Sequence, residues 1–340
     1  MAKSRIYFPG VLWQFYDFAR PILEPAVEVV VEPERVYSAE EIAEVFGGVE
    51  GALLTAFEKV PRAVIEAAPR LRALSKYGTG VEAIDLEAAT EHGIPVTNTP
   101  GANSLGVAEH TVALILSVMR QVPQLDRMVR ANRWNDARRI VGGDVEGSVL
   151  GLVGFGNIGQ LVCGRAIALG MCVLAYDPYQ SDETIAALGA EKVGNLDDLL
   201  EASDIVSLHM TVTAQTRGLF NAERFSHMKE GAFFVNTARA TLVDQQALID
   251  VLKARRLAAA ALDVFEPEPL TLQSPLLELE NVIITPHHAG TTARTRERTL
   301  KQAATNLVLM LNGKLPEIGL CNPAVRARFE ARFGSTLKPR

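Results

Sequence analysis

The sequence predicts an α/β protein built from two bodies, each with a doubly wound parallel sheet. The first supporting observation is the length of 340 residues, which suits two domains at roughly 150 residues each. The second is that short β-branched and apolar runs alternate with helical patterns along nearly the whole chain, which is typical of βαβ units. The third is a polar stretch over residues 132–148, after which the alternation starts again.

In the first body, strands are predicted at residues 5–8, 27–31, 51–55, 73–76 and 95–98. The helices between them are predicted at residues 39–46, 62–67 and 86–92, and Gly93 ends the last of these. A further helix from residue 104 to about residue 120 is apolar on nearly every face. We therefore expect this helix to be buried between larger bodies.

The second body is predicted to contain a sheet of six strands. They are expected at residues 149–154, 172–176, 205–209, 233–236, 258–263 and 282–285. The helices are expected at residues 158–169, 196–202, 221–228, 244–254 and, beyond the last strand, 293–312.

Composition excludes several classes of protein. Apolar residues make up 48% of the chain and charged residues 22%, which excludes a disordered or collagen-like chain. The net charge of −6 gives no reason to expect a nucleic acid partner. The longest apolar stretch, residues 105–119, contains Glu109 and His110 and is too short for a membrane span, and the N-terminus lacks a signal peptide core. We expect a cytoplasmic protein with three free cysteines.

A glycine-rich turn joins the first strand of the second body to its helix. Gly154, Gly156 and Gly159 have the spacing GxGxxG, and Asp177 ends the next strand. A purely structural turn is the alternative, but the preceding strand, the following helix and the acid favour a Rossmann dinucleotide site. Gly154 would form the turn, Gly156 would let a pyrophosphate approach, and Gly159 would let the helix pack closely. Because Asp177 would bind ribose hydroxyls and repel a 2′-phosphate, we expect NAD rather than NADP.

Polar residues follow three successive strands of the second body. Arg239 follows the first, Glu266 and Glu268 follow the second, and His287 follows the third. Parallel strands bring these side chains to the edge of the sheet where the glycine turn lies. Arg239 offers a planar fork of donors to a carboxylate, and a histidine backed by a carboxylate can act as a general acid and base. This set suits hydride transfer to a 2-oxo acid, with either glutamate as the partner of the histidine.

Other polar residues have simpler interpretations. His287 and His288 point in different directions and lack a third ligand at metal-site spacing, so no metal is predicted. His110 is expected to be a hydrogen-bonded core or interface residue. Arg294 and Arg298 share a helix face, which is either exposed or in contact with an anionic substrate.

At these residues the chain resembles the D-isomer-specific 2-hydroxyacid dehydrogenases, particularly the 3-phosphoglycerate dehydrogenase branch. The resemblance covers residues 51–313. It includes the glycine turn and the segments 76–80 (KYGTG), 98–104 (NTPGANS), 108–111 (AEHT), 235–239 (VNTAR), 261–265 (ALDVF) and 285–287 (TPH).

The resemblance implies functional residues one by one. It implies that the catalytic residues are Arg239, Glu268 and His287, and so favours Glu268 over Glu266. It implies cofactor contacts at Thr79, Gly154, Gly156, Asn157, Ile158, Gly159, Asp177, His209, Met210, Thr237, Ala238, Asp263 and Gly290. From its position at a strand end, His209 suits a core role as well as a cofactor contact. The substrate would contact Tyr77, Gly78, Thr79, Gly80, Arg239 and His287.

The resemblance also implies an architecture. Residues 1–104 and 289–340 would form a discontinuous, flavodoxin-like substrate domain, and residues 105–288 would form the NAD-binding Rossmann domain, with the active-site cleft between the two. We expect a homodimer joined through the NAD-binding domains and no C-terminal regulatory domain.

Substrate and function have alternatives within this family. In the phosphoglycerate branch an arginine meets the substrate phosphate, and the equivalent position here is Thr55, which argues against a phosphorylated substrate. The leading hypothesis is an NAD-dependent dehydrogenase of a small D-2-hydroxy acid. The alternative is an NAD-sensing scaffold that resembles the transcriptional corepressors of the same fold.

Overall fold

The chain forms two compact units in a computed structural model that describes residues 3–30, 37–55 and 57–333. Unit 1 contains Met1–Asn103 and Thr292–Arg340, and unit 2 contains Ser104–Thr291. The first division lies one residue before the predicted boundary at residue 104, and the second lies three residues after the predicted boundary at residue 288.

The described residues contain twelve strands, and every ladder between them is parallel. They are β1 (Ser4–Tyr7), β2 (Val27–Val30), β3 (Gly51–Leu54), β4 (Ala73–Lys76), β5 (Val96–Thr97), β6 (Val149–Val153), β7 (Cys172–Tyr176), β8 (Glu191–Lys192), β9 (Ile205–Leu208), β10 (Phe233–Asn236), β11 (Ala259–Leu262) and β12 (Val282–Ile284). The predicted strand residue Val31 lies outside the described residues.

The two sheets confirm the predicted fold class. Unit 1 has five strands in the order β2-β1-β3-β4-β5, which is the flavodoxin-like order. Unit 2 has seven strands in the order β12-β11-β10-β9-β6-β7-β8, which is the dinucleotide-binding order with one strand added. The prediction of six strands in this sheet was wrong. The missed strand β8 has two residues, too few to show an alternating pattern, and it pairs with β7 at the sheet edge.

The helices lie between the strands. In chain order they are α1 (Arg20–Leu23), α2 (Ala39–Gly47), α3 (Arg62–Glu66), α4 (Leu86–Glu91), α5 (Ser104–Met119), α6 (Val122–Arg130), α7 (Trp134–Ala137), α8 (Asn157–Ala168), α9 (Asp182–Ala186), α10 (Leu196–Ala202), α11 (Ala222–His227), α12 (Gln245–Lys253), α13 (Ala293–Leu311) and α14 (Arg326–Phe333). The sequence prediction missed α1, α6, α7, α9 and α14. Three of these have four or five residues and cannot show a helical repeat of 3.6 residues.

Apolar cores on both faces of each sheet fix the helices. In unit 2, Phe220, Phe225 and Phe234 meet one another with ring centroids 5.3–5.9 Å apart. In unit 1, α13 buries Leu300 and Leu307 against the sheet, which brings the C-terminal part of the chain back to the N-terminal strands. Full burial on both faces explains why the central strands are continuous apolar runs.

Helix α5 is the first element of unit 2, and it packs against β10, β11 and β12. Its residues Leu114, Ile115 and Val118 are buried. In the described part of the chain, no single helix is long and apolar enough to cross a membrane, and α5 with α6 reaches that length only across a 60° bend.

Candidate active site

The glycine turn between β6 and α8 contains glycines with different steric surroundings. Gly154 has φ +99°, and a Cβ there would lie 2.7 Å from the backbone carbon of His209 and 2.8 Å from the backbone nitrogen of Met210. A Cβ on Gly159 would lie 2.4 Å from the carbonyl oxygen of Gly154. By contrast, a Cβ on Gly156 would meet no atom of the chain within 4 Å. The protein itself therefore requires Gly154 and Gly159, while Gly156 faces open space at the N-terminus of α8, where an anion is favoured.

Asp177 follows β7 and is hydrogen-bonded to the glycine turn. One carboxylate oxygen accepts a hydrogen bond from the backbone N–H of Phe155 at 2.8 Å, and the other accepts one from the N–H of Tyr179 at 2.8 Å. Each oxygen has a second acceptor position, so the carboxylate can also accept hydrogen bonds from two ribose hydroxyls. The open space at Gly156, the start of α8 at Asn157 and Ile158, and the carboxylate of Asp177 thus fit a dinucleotide.

His209 follows β9, and its backbone borders the glycine turn. Its Nε2 shares a hydrogen bond with the Ser207 hydroxyl at 2.9 Å. Burial lowers the pKa of His209 to about 3, so the ring is neutral near neutral pH. The ring thus has a polar partner inside the unit, and it offers no positive charge to a cofactor phosphate.

Arg239 lies just after β10 in a loop that Asn236 fixes. The Asn236 side chain accepts a hydrogen bond from Ala238 N at 3.0 Å and donates one to Arg239 O at 3.0 Å, which forms an Asx turn. The Arg239 guanidinium is partly buried and donates to Ala238 O at 2.7 Å. The neighbouring Thr237 shares a hydrogen bond at 2.8 Å with Thr111 of α5. Backbone and helix contacts therefore hold the Arg239 loop.

Glu268 and His287 form a hydrogen-bonded pair after β11 and β12. Glu268 Oε2 lies 2.8 Å from His287 Nδ1, and Glu268 Oε1 accepts a hydrogen bond from Phe265 N at 2.9 Å. Glu266 is exposed two residues earlier. The His287 side chain is 52% exposed, and its φ is +51°. Because the carboxylate occupies Nδ1, the other ring nitrogen of His287, Nε2, is the one left for a further partner.

Arg239, Glu268 and His287 thus follow the neighbouring strands β10, β11 and β12, as the sequence predicts. Adjacent strands lie about 4.8 Å apart, so the three loops are within reach of one small molecule.

Asp263, at the end of β11, is fully buried and holds the histidine loop. Its Oδ1 accepts hydrogen bonds from the Thr285 hydroxyl at 2.5 Å and from His288 N at 2.8 Å, and its Oδ2 accepts one from Ala289 N at 2.9 Å. His110 Nε2 lies 3.2 Å from the Thr285 hydroxyl and 3.7 Å from Asp263 Oδ1. Burial lowers the pKa of His110; the charge of His288 adds to this effect, and that of Asp263 opposes it.

Sequence reasoning missed the positioning residues of this edge. Asn236 fixes the arginine loop, Thr285 joins Asp263 to His110, and Thr111 joins α5 to β10. The first had a usable signal, because an asparagine at the end of a strand is typical of an Asx turn. The contacts with α5 join residues more than 100 positions apart and leave no local signal. Gly290 follows the histidine loop and is partly buried.

The predicted substrate loop, Tyr77 to Gly80, lies in unit 1 directly after β4. Gly78 has φ +106°, and its N–H donates to the hydroxyl of Thr99 at 3.0 Å. Thr79 O accepts a hydrogen bond from Asn98 at 2.7 Å. This loop and the catalytic candidates belong to different units.

Of the arginines of α13, Arg294 is exposed, and Arg296 and Arg298 have partners within unit 1. Arg298 donates to Ala102 O at 3.2 Å and to the Thr295 hydroxyl at 3.2 Å, and Arg296 stacks over the ring of Phe15 at 4.3 Å.

The family model for the D-isomer specific 2-hydroxyacid dehydrogenase, NAD binding domain, matches residues 112–289. The chain belongs to this dehydrogenase family. The match confirms both the predicted resemblance and the prediction of NAD as the cofactor, and the matched residues lie inside unit 2.

Relatives support the assignment over most of the chain. The D-3-phosphoglycerate dehydrogenase of Archaeoglobus fulgidus is 38% identical over 301 residues, which are 87% of this chain and 57% of that protein. This chain therefore spans little more than half of that relative. The glyoxylate reductase of Korarchaeum cryptofilum is 42% identical over 319 residues, which are 93% of this chain and 90% of that protein.

A solved structure is also similar. The D-lactate dehydrogenase of Aquifex aeolicus, in complex with NAD and lactic acid, has a TM-score of 0.79 and 28% sequence identity, over 94% of this chain and 99% of that one.

Proposed function

We propose that this chain is an NAD-dependent dehydrogenase that interconverts a small 2-oxo acid and the corresponding D-2-hydroxy acid. The observation that carries the proposal is the pair of His287 Nδ1 and Glu268 Oε2 at 2.8 Å, on the same sheet edge as Arg239 and the glycine turn. NAD, when bound at the glycine turn, would supply or accept the hydride. The relatives named as glyoxylate reductase and D-lactate dehydrogenase support the same substrate class.

Each side chain has a role that follows from its chemistry. The planar guanidinium of Arg239 binds the substrate carboxylate and polarises the carbonyl oxygen, as only a fork of donors can. His287 Nε2 donates a proton to that oxygen during reduction and accepts it during oxidation. Glu268 holds the ring in one orientation and stabilises its charged form.

The deciding experiment measures NADH oxidation at 340 nm (absorbance of the reduced nicotinamide) with glyoxylate, hydroxypyruvate, pyruvate and phosphohydroxypyruvate. His287→Ala should lower kcat by about 10²–10⁴-fold, because general acid–base catalysis contributes that much. Glu268→Gln should lower kcat by about 10²–10⁴-fold, since it removes the charge that orients the ring. Glu266→Gln is the matched control and should leave the rate unchanged.

Three results would contradict the proposal or a part of it. Equal losses in the Glu266 and Glu268 variants would show that the hydrogen bond to His287 has no special role. The absence of turnover with every 2-oxo acid, together with NADH-dependent binding of another protein, would instead support the scaffold alternative. A preference for NADPH would contradict the role given to Asp177.

We further propose that the chain forms a homodimer through unit 2 and works in the cytoplasm. The segment of residues 120–147 supports the dimer, because Trp134 is 60% exposed and Val141 is 86% exposed there. Cys163, Cys172 and Cys321 are free thiols, which suits a reducing compartment.

A further inference from the structure

The backbone of the histidine loop, residues 287–289, is held by one residue, Asp263. Three successive N–H groups of the loop bind it. That of His287 donates to the Asp263 backbone carbonyl at 2.8 Å, and the next two donate to the Asp263 carboxylate, His288 at 2.8 Å and Ala289 at 2.9 Å. His287 has φ +51°, in the left-handed region that a residue with a Cβ rarely adopts. Such a conformation persists only where the surrounding structure holds it, so the placement of the His287 ring depends on the Asp263 carboxylate.

A chain of hydrogen bonds with a fixed direction joins this carboxylate to α5. Thr285 has one hydroxyl proton, which it donates to Asp263 Oδ1 at 2.5 Å. At its 3.2 Å contact with His110 Nε2, the Thr285 oxygen can therefore only accept. His110 must then carry a proton on Nε2, which fixes the tautomer of the neutral ring. Within the described ranges, Nδ1 of His110 makes no hydrogen bond, so Nε2 is the nitrogen through which the ring acts.

The His110 ring donates this hydrogen bond in its neutral form. Burial lowers the pKa of His110 below its usual 6.5, and it outweighs the charge of Asp263, which raises that pKa from 3.7 Å away. The charge of His288, on the histidine loop, lowers it further. At neutral pH the ring therefore supports the Thr285 hydroxyl without adding a positive charge beside the carboxylate.

We propose that His110 is a positioning residue for the general acid and base, His287. By donating to Thr285, it keeps the Thr285 hydroxyl directed at Asp263 and so keeps the carboxylate in place to bind the histidine loop. This inference rests on the proposed dehydrogenase function. Without the donor the Thr285 hydroxyl can turn away, and His287 loses part of the support for its left-handed backbone. A small displacement of a catalytic group can cost as much as about 10²-fold in rate.

The test compares two substitutions of His110. His110→Leu removes the donor, whereas His110→Gln has a side-chain amide that can donate from a position close to that of Nε2. The rate of NADH oxidation in a single turnover measures the chemical step, and a fluorescence titration gives the Kd for NADH and the number of binding-competent molecules. We expect His110→Leu to lower the single-turnover rate about 10-fold and to change the Kd for NADH less than about threefold.

The glutamine variant should restore the single-turnover rate to within about threefold of that of the unmodified chain, because it returns the hydrogen bond. Glu109→Gln, an exposed substitution at the preceding position of α5, is the matched control and should change neither quantity. A purely structural role of His110 would lower the number of molecules that bind NADH and leave the rate of each unchanged.

A second measurement does not depend on activity. NMR of the histidine ring nitrogens distinguishes a ring protonated on Nε2 from one protonated on Nδ1, and the signals lost in His110→Gln identify those of His110. We expect the neutral tautomer with its proton on Nε2 at neutral pH. A proton on Nδ1 alone, an unchanged single-turnover rate in His110→Leu, or equal losses in the leucine and glutamine variants would overturn the inference while leaving the dehydrogenase function intact. A chain that turns over no 2-oxo acid would refute the proposed function itself.

Discussion

The same substitution at two glycines of one turn should have different effects. At Gly154 it should lower the stability of the protein, and at Gly156 it should lower the affinity for NADH. In Gly154→Ala the new methyl group would lie 2.7–2.8 Å from backbone atoms of His209 and Met210, at a φ of +99°. In Gly156→Ala the methyl group would meet no protein atom within 4 Å, and φ is −77°. The first change therefore strains the protein, whereas the second fills the space that we assign to the pyrophosphate.

The magnitudes follow from these distances. The left-handed backbone costs a residue with a Cβ about 1–2 kcal/mol, and forcing atoms into a packed region costs about 1–3 kcal/mol more. Gly154→Ala should thus lose about 2–5 kcal/mol of unfolding free energy, which lowers the transition temperature by at least ~4 °C in a domain of this size. Gly156→Ala should keep the wild-type transition temperature and bind NADH about 10–100-fold more weakly, a loss of about 1.4–2.8 kcal/mol.

Thermal denaturation and a fluorescence titration with NADH measure both effects on the same samples. Wild-type affinity in Gly156→Ala would refute the assignment of the pyrophosphate to this turn. An unchanged transition temperature in Gly154→Ala would refute the steric argument, since the backbone of His209 would then have moved away without strain.

Two further predictions concern pH and assembly. Burial lowers the pKa of His209 from its usual 6.5 to about 3, so its contribution to stability is complete above pH 6.5 and is lost as the pH falls towards 3. Urea denaturation should show stability falling between pH 7 and pH 5 by at most about 1.4 kcal/mol per pH unit from this group, and His209→Gln should flatten that slope; parallel slopes would contradict the argument. Light scattering should show a dimer that Trp134→Glu converts to monomers, because Trp134 lies exposed in the proposed interface; a monomeric wild type would rule the dimer out.

The dinucleotide site could be predicted because its signals are local. The turn needs glycines at fixed spacing for steric reasons that hold in any chain, and the acid follows the next strand. The structure adds the reason for each glycine. A Cβ at Gly154 or Gly159 would clash with neighbouring backbone atoms, whereas a Cβ at Gly156 would meet none. The strand-end residues Arg239, Glu268 and His287 could be placed on one edge because parallel topology determines where strands end.

What the sequence could not show are contacts between distant segments. Glu58 carries no motif, and only folding buries it beside Tyr7, 51 residues earlier, whose hydroxyl donates a hydrogen bond to it. His110 was expected to be a hydrogen-bonded core or interface residue, but the sequence could not name its partner, Thr285, because that residue lies 175 positions later. Three short helices and the strand β8 were also missed, since four or five helical residues, or two strand residues, cannot establish a period.

Helix α5 shows why these distant contacts matter for the chemistry. Two adjacent residues on it, His110 and Thr111, contact Thr285 after β12 and Thr237 after β10. Between them, Asp263 after β11 binds the backbone of the loop that carries the catalytic candidate His287. One turn of a buried helix thus fixes the ends of three neighbouring strands. Because α5 is held by apolar packing, a substitution that shifts it would displace the arginine loop and the histidine loop together. Substitutions of the buried apolar residues of α5 should therefore lower kcat, although none of these residues is proposed to contact the substrate.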